Sequence, residues 1–480
     1  MVVRMRTLSH VASGAGRRLR RLLGQPVRPP HEDAGSVWSP ITFEEHERFR
    51  PFDLLPDAGV FHDEDDVDTG ERRYLDHALQ APYLTVELTP NASPAFSAAG
   101  VACSSGTVEA EYDPGAGTAR ITFDAGHGPV QLAATALKGP WGRLAVTFTE
   151  NVVVLWREGP AGWEVLLKHA LDRDKTVDLR TTGEITGSRL YCRGGFRRVR
   201  AGYFGYLGLR DPQLIRHPEG EPVRRDGRVW ITATCAGPGF FPAAHWAVFS
   251  FPAEDPNDLR LESHLFFERD GLRLGDHAGF ILHDGGSALL GVSSWGDFAE
   301  NAHIRRASSQ RDLLTGVHVL ESQRWELPTE HDSWDPSMLL HDGKWWLGLV
   351  ECTGYKPRFT FRPALAATQV GAGWDSPLAY IGADKVHQQT EGTLLTLHAG
   401  TLNLLASDGD ARDYPVYDPE MNRIDTLHAP YPTNIPHPLV IDVGGNPFIL
   451  TFDGTPVSGK ELGYGTHGDV IILRPTAEQA

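Results

Sequence analysis

Four carboxylates and a histidine recur at nearly even intervals along this 480-residue chain. Asp211, Asp276, Asp335, Glu391 and His437 are separated by 65, 59, 56 and 46 positions. Carboxyl groups held at unequal pKa values divide proton chemistry between them, one accepting and one donating. A histidine among them is placed to hold the base, a water or a cation such as Ca2+. Side chains so far apart in sequence can act together only if a repeated unit delivers them to one place.

That unit is visible around each of them. In its clearest form it reads Trp334-Asp335-Pro336-Ser337-Met338-Leu339-Leu340-His341-Asp342-Gly343-Lys344-Trp345-Trp346-Leu347: an acid, a short apolar run, a D-G turn and a second apolar run. The phrase returns from Arg210, Asp276, Thr390 and Pro436. A glycine-containing turn between two apolar runs is a strong hairpin signal. Five hairpins at this spacing fit blades of four strands, and so predict an all-β, five-bladed β-propeller. The first strand of each blade lines the central channel, so five strand starts would converge at one rim.

Composition agrees with an all-β chain. Gly 51 and Pro 34 are high, and long apolar stretches of helical period are scarce. A formal charge of −17 disfavours nucleic acid as partner, because its phosphates would be repelled over most of the surface. No stretch of about 20 apolar residues occurs to span a membrane. Residues 1–45 read as a basic, disordered arm, whose first 30 positions hold seven arginines and no acid. Arg17-Arg18-Leu19-Arg20-Arg21 looks like a twin-arginine signal but lacks the apolar segment that should follow, so the expected compartment is the cytoplasm. Cys103, Cys192, Cys235 and Cys352 lie in or beside apolar runs and read as buried thiols. No C-x-x-C or H-E-x-x-H spacing supports zinc, and no cofactor is required.

Residues 46–195 have a different texture. Runs at 83–88, 106–112, 118–123, 142–148 and 151–156 alternate with period two between Pro, Gly and Asp turns, which predicts a β-sandwich. The pair RLAVTFTENVVVLWREG resembles central strands of laminin-G or concanavalin-like jelly rolls. Outward Trp141 or Trp163 would then contact sugar, or the sandwich would simply pack on the propeller. Residues 182–208 read as an interdomain connection whose arginines pair with the acidic body, and the propeller domain spans 196–480.

The phrases Arg210-Asp211-Pro212, Trp334-Asp335-Pro336-Ser337 and Thr390-Glu391-Gly392 carry a further resemblance. With the fifth-blade His437, residues from about 205 to 475 resemble the five-bladed propeller glycoside hydrolases, most closely family 43 and its clan relatives. Thr393 departs from the proline usual after Glu-Gly in that family. The resemblance implies Asp211 as general base, Glu391 as general acid and Asp335 as the neighbour that keeps the acid protonated. Inverting hydrolysis would need about 6.5–9.5 Å between base and acid. The substrate implied is a carbohydrate, with arabinose- or xylose-containing glycans the closest match, and with Asp276, Trp295, Trp334 and His437 contacting it. Two alternatives stand beside this: a propeller that binds a glycan or protein without cleaving it, its acids serving as strand caps, and a retaining fructosidase-like enzyme using Glu351-Cys352. Glu351 follows the apolar run at 345–350, at the end of a second strand, which makes that pair a coincidence.

Overall fold

A computed structural model describes residues 41–91, 95–137, 142–171, 177–239, 241–294, 301–398, 400–443, 445–454 and 468–476. Five sheets follow the five hairpins, each beginning with a strand on the inside. Blade one starts at Leu209–Leu214, blade two at His277–Asp284, blade three at Ser333–His341, blade four at Thr390–His398 and blade five at Leu439–Val443. Each first strand pairs antiparallel with the next, as the short turns require. The D-G turns adopt the geometry that suits the right-handed twist of a hairpin, with positive φ at both central residues: +54° and +73° at Asp226-Gly227, +50° and +69° at Asp342-Gly343. The chain is a β-propeller.

The ring is closed by a strand that the hairpin phrase does not announce. Phe43–Phe49 pairs antiparallel with Asp469–Pro475 and so forms the outer strand of blade five. The sequence boundary at residue 45 runs through this strand. Its alternation is weak because only one side chain, Phe43, turns fully inward. Phe43 joins an apolar core that links blades four, five and one through Leu405, Ile441, Phe448, Ile471, Ile231 and Phe249.

The preceding sandwich is one sheet folded over on itself. Gly162–Ala170, Val152–Gly159, Leu144–Thr149 and Tyr83–Pro90 form one half, and Ser97–Cys103, Gly106–Asp113, Thr118–Asp124 and Val130–Ala136 form the other. The 15-residue strand Arg189–Tyr203 joins the halves, pairing with Ser97–Cys103 through its first part and with Tyr83–Pro90 through its second. Sequence reading ends the sandwich at residue 195, yet this strand continues in the sheet to Tyr203. Its arginines do meet acids, as expected, but those acids belong to the sandwich: Arg198 bonds Asp63 at 2.7 Å and Arg193 bonds Glu109 at 2.7 Å. Blade one contributes Phe266 to the sandwich core. The Tyr83 hydroxyl lies 2.9 Å from Glu150 Oε1 and 3.1 Å from the carbonyls of Pro242 and Ala244 beside blade one.

Among the described residues no helix is long and apolar enough to cross a membrane. All four cysteines are free, Cys103 half-buried and the others buried. Because Phe43 anchors the closing strand in a core shared by three blades, Phe43→Ala is expected to lower stability by about 3 kcal/mol in urea unfolding. An unchanged midpoint would show that the ring holds without this strand.

Candidate active site

The first four inner strands share one local defect. Their pairing with the second strand breaks between Arg210 and Gln213, His277 and Gly279, Trp334 and Ser337, and Glu391 and Leu394. At each break one residue takes positive φ: Asp211 at +50°, Ala278 at +57°, Asp335 at +49° and Gly392 at +72°. These are β-bulges, which bend the strand and re-aim the side chains beside them. Asp tolerates this conformation better than most residues and Gly adopts it freely. Asp211 and Asp335 therefore occupy equivalent positions, whereas Glu391 stands one residue earlier, level with Arg210, His277 and Trp334.

This register explains which sequence candidates meet. The His437 ring lies between the two aspartates, with Nδ1 3.6 Å from Asp211 Oδ1 and Nε2 3.7 Å from Asp335 Oδ2. The Gly392 amide donates to Asp335 Oδ2 at 3.1 Å, and the Thr393 hydroxyl donates to the Asp335 carbonyl. Trp334 Nε1 donates to Glu391 Oε2 at 3.2 Å. Blades one, three, four and five thus meet in one small polar group. Asp211, Asp335 and His437 are nearly buried, while Glu391 keeps partial access to solvent.

Asp276 does not join them. It lies two residues before its bulge and is fully buried in a bidentate pair with Arg269, at 3.0 and 3.2 Å. Blade two offers His277 instead, a buried imidazole near Asp211 whose pKa burial lowers. Trp334 reaches the group through its indole N–H, but only 2 % of it is exposed, so it presents no open ring face. Trp295 lies outside the described residues. Glu351 sits on the second strand of blade three, bonded to Arg362 at 3.2 Å and Tyr380 at 3.1 Å, apart from this group as the sequence suggested. Among the described residues no three or more His, Cys, Asp and Glu side chains are arranged to hold a metal ion.

Electrostatics separate the three carboxyls. Burial alone would raise Asp211, but His437, Arg210, His277 and the Thr234 hydroxyl outweigh it and hold the carboxyl below its usual range. Burial pushes His437 down to about 4, so near neutrality it faces Asp211 as a neutral ring. The fixed charge that keeps Asp211 ionised is then Arg210, whose Nε lies 3.9 Å from Oδ1. Glu391 is pushed up to about 7, first by burial and then by the Asp211 charge, against the pull of Arg210 and Trp334. Asp335 is raised well above the carboxylate range by burial, then by Glu391 and Asp211. The like charge that raises Glu391 is therefore that of Asp211, not that of Asp335.

A layer of hydrogen bonds beneath the group fixes the strands that carry it. Gln213 Nε2 donates to the Pro336 carbonyl at 2.8 Å, and the Leu395 amide donates to Ser337 Oγ at 3.0 Å. Arg216 spans three blades, donating to the Leu395 carbonyl at 2.7 Å, the Met338 carbonyl at 3.1 Å and Ser337 Oγ at 3.3 Å. Only a planar guanidinium has donors in the right fork for two strands at once. Burial lowers its pKa to about 9. Arg210 was visible in its R-D-P phrase as a neighbour of Asp211; nothing local distinguishes Arg216, whose partners lie more than 120 residues away.

No protein-family model matches this chain, and no curated protein matches it. Solved structures similar to it include a GH43_1 enzyme from Xanthomonas citri complexed with xylose, at 16% identity and TM-score 0.40 over 57% of this chain and 90% of that one. A family 117 glycoside hydrolase from the marine bacterium Zobellia galactanivorans is similar at 12% identity and TM-score 0.39, over 56% and 84% of the two chains. An α-L-arabinanase from Penicillium chrysogenum, complexed with arabinobiose, is similar at 11% identity and TM-score 0.36 over 69% and 89%.

The bulge in blade four gives a direct check on the geometry. A Cβ at Gly392 would stand 2.2 Å from His437 Cδ2 and carry an unfavourable φ. Gly392→Ala is expected to cost about 1–3 kcal/mol of stability and to displace the imidazole, read as an altered His437 titration by NMR. An unperturbed His437 resonance would remove it from this contact.

Proposed function

We propose that the chain is a glycoside hydrolase with Asp211 as general base and Glu391 as general acid. The observation that carries the reading is the opposite displacement of two carboxyls in one group: Asp211 held ionised, Glu391 held protonated up to about pH 7. Acid–base hydrolysis of a glycoside needs that pair, one group to draw a proton from water and one to protonate the leaving oxygen. Arg210 keeps the base charged. Trp334 orients the acid, and Asp335 holds the backbone beside Glu391, its carboxyl accepting from the Gly392 amide and its backbone carbonyl from the Thr393 hydroxyl. The R-D-P, W-D-P-S and T-E-G phrases, in blade order, support an inverting reaction on arabinose- or xylose-containing glycans. Water attacks from the Asp211 side as Glu391 gives its proton to the departing oxygen.

A second reading keeps the fold and loses the chemistry. Asp211 and Asp335 are each 6% exposed, which suits bulge residues that shape the channel of a binding propeller. The two readings separate on turnover.

Removing the acid harms most those substrates whose leaving group needs protonation, whereas removing the base harms all alike. Glu391→Gln is expected to retain hydrolysis of a nitrophenyl arabinofuranoside while losing natural glycans, and Asp211→Asn to lose both. Asn also tolerates the positive φ at 211, so the loss will not reflect backbone strain. Proton NMR of the first anomer released by the unmodified protein is expected to show inversion; a retained anomer would overturn the base assignment. No turnover on a broad glycan panel would favour the binding propeller.

Glu391 also sets a pH limb. The acid is competent below its pKa, so kcat/KM is expected to fall tenfold per pH unit above about 7 and to be flat there in Glu391→Gln on the nitrophenyl substrate. A limb that survives the substitution would assign it to another group.

A further inference from the structure

Trp334 is the inner member of an aromatic stack that leads out of the site. Phe359 lies on it with ring centroids 5.8 Å apart and planes 22° apart, and Tyr355 lies on Phe359 at 5.5 Å and 21°. Exposure rises along the series, from 2% at Trp334 to 39% at Phe359 and 49% at Tyr355. The two outer rings belong to the connection between the second and third strands of blade three, at the rim where Asp335 begins its strand.

This connection is fastened on both sides. The Tyr355 hydroxyl donates to Asp332 just ahead of the blade-three inner strand. Toward blade four, Gln389 Nε2 donates to the Phe359 carbonyl at 2.5 Å, the Phe361 amide donates to the Gln388 carbonyl at 3.1 Å, and Arg358 bonds Asp410 at 2.6 Å. Gln389 is two residues before Glu391. Phe361 supports the stack edge-on, 5.6 Å from Trp334. The rings are thus held in place at the rim, with Phe359 and Tyr355 open to solvent outward of Trp334.

A general acid must stand next to the oxygen of the departing group, and the stack begins at Trp334, whose indole N–H bonds Glu391, so its outer rings extend from the acid's side of the site. We propose that Phe359 and Tyr355 form a subsite for the leaving group of a glycoside, and that it takes a ring with an apolar face, a second sugar or an aryl group. The inference rests on the hydrolase reading above. A ring stacked on Phe359 gains contact and loses water from both faces, worth about tenfold in affinity. An acyclic leaving group as small as methanol gains nothing from it.

The test compares ring and non-ring leaving groups on one sugar. Phe359→Ala is expected to reduce kcat/KM about tenfold for nitrophenyl arabinofuranoside and arabinobiose, and to leave methyl arabinofuranoside within twofold. Phe359→Trp should retain activity on all three. An equal loss on the methyl glycoside would overturn the subsite and make the ring a support for Trp334, and no loss on any substrate would overturn it as well. If the unmodified protein cleaves none of them, the hydrolase reading falls separately, and calorimetry of intact nitrophenyl arabinofuranoside decides the platform. Binding weakened tenfold by Phe359→Ala would uphold a glycoside platform on a propeller that does not cleave; absence of saturable binding would overturn it.

Discussion

The site depends on a backbone irregularity repeated at the head of four channel strands. An extended strand points successive side chains to opposite faces, so no two neighbours can serve the same rim. The bulge with positive φ breaks that alternation and turns Asp211 and Asp335 toward His437. Non-glycine residues in this conformation cost about 1–3 kcal/mol each, and such strain persists only where the surroundings over-determine it. Here the surroundings are the cross-blade bonds of Gln213, Arg216, Ser337 and Thr393. They tie the strands bearing Asp211, Asp335 and Glu391 to one another just below the carboxyls.

Three carboxyls in one poorly hydrated group cannot all be charged. The protein resolves the conflict by position. Asp211 has the Arg210 guanidinium beside it and keeps its charge, whereas burial first and the Asp211 charge after it raise Glu391 and Asp335. His437, neutral by burial, separates the two aspartates without adding charge. The absence of a side chain at Gly392 is what leaves room for its ring.

Closure of the ring and attachment of the sandwich serve the same precision. A carboxyl group built from separate blades holds its geometry only if no blade can slide outward. The strand Phe43–Phe49 locks blade five from the N-terminal side, and the core it enters runs through blades four, five and one. At blade one, Phe266 enters the sandwich core and the Tyr83 hydroxyl of the sandwich lies 3.1 Å from the Pro242 and Ala244 carbonyls, beside a Glu150 carboxyl whose pKa burial raises.

By itself the sequence determined the repeated hairpins, the all-β architecture and the carboxyls that lead blades one, three and four. Those features are local, written in D-G turns, apolar runs and three short phrases whose residues are adjacent in the chain. What it did not determine is the register at which each strand enters the rim. Asp276 leads its hairpin as Asp335 does, but it lies two residues ahead of the bulge and is consumed by Arg269. Trp334 neighbours Asp335 in sequence, yet it is Phe359, 25 residues after it, that covers it and faces solvent. The strand Phe43–Phe49 and the guanidinium of Arg216 carry no local signature, because their partners lie hundreds of residues or several blades away. Bulge register, ring closure and the unequal pKa values arise from contacts between distant strands, and only the tertiary structure decided them.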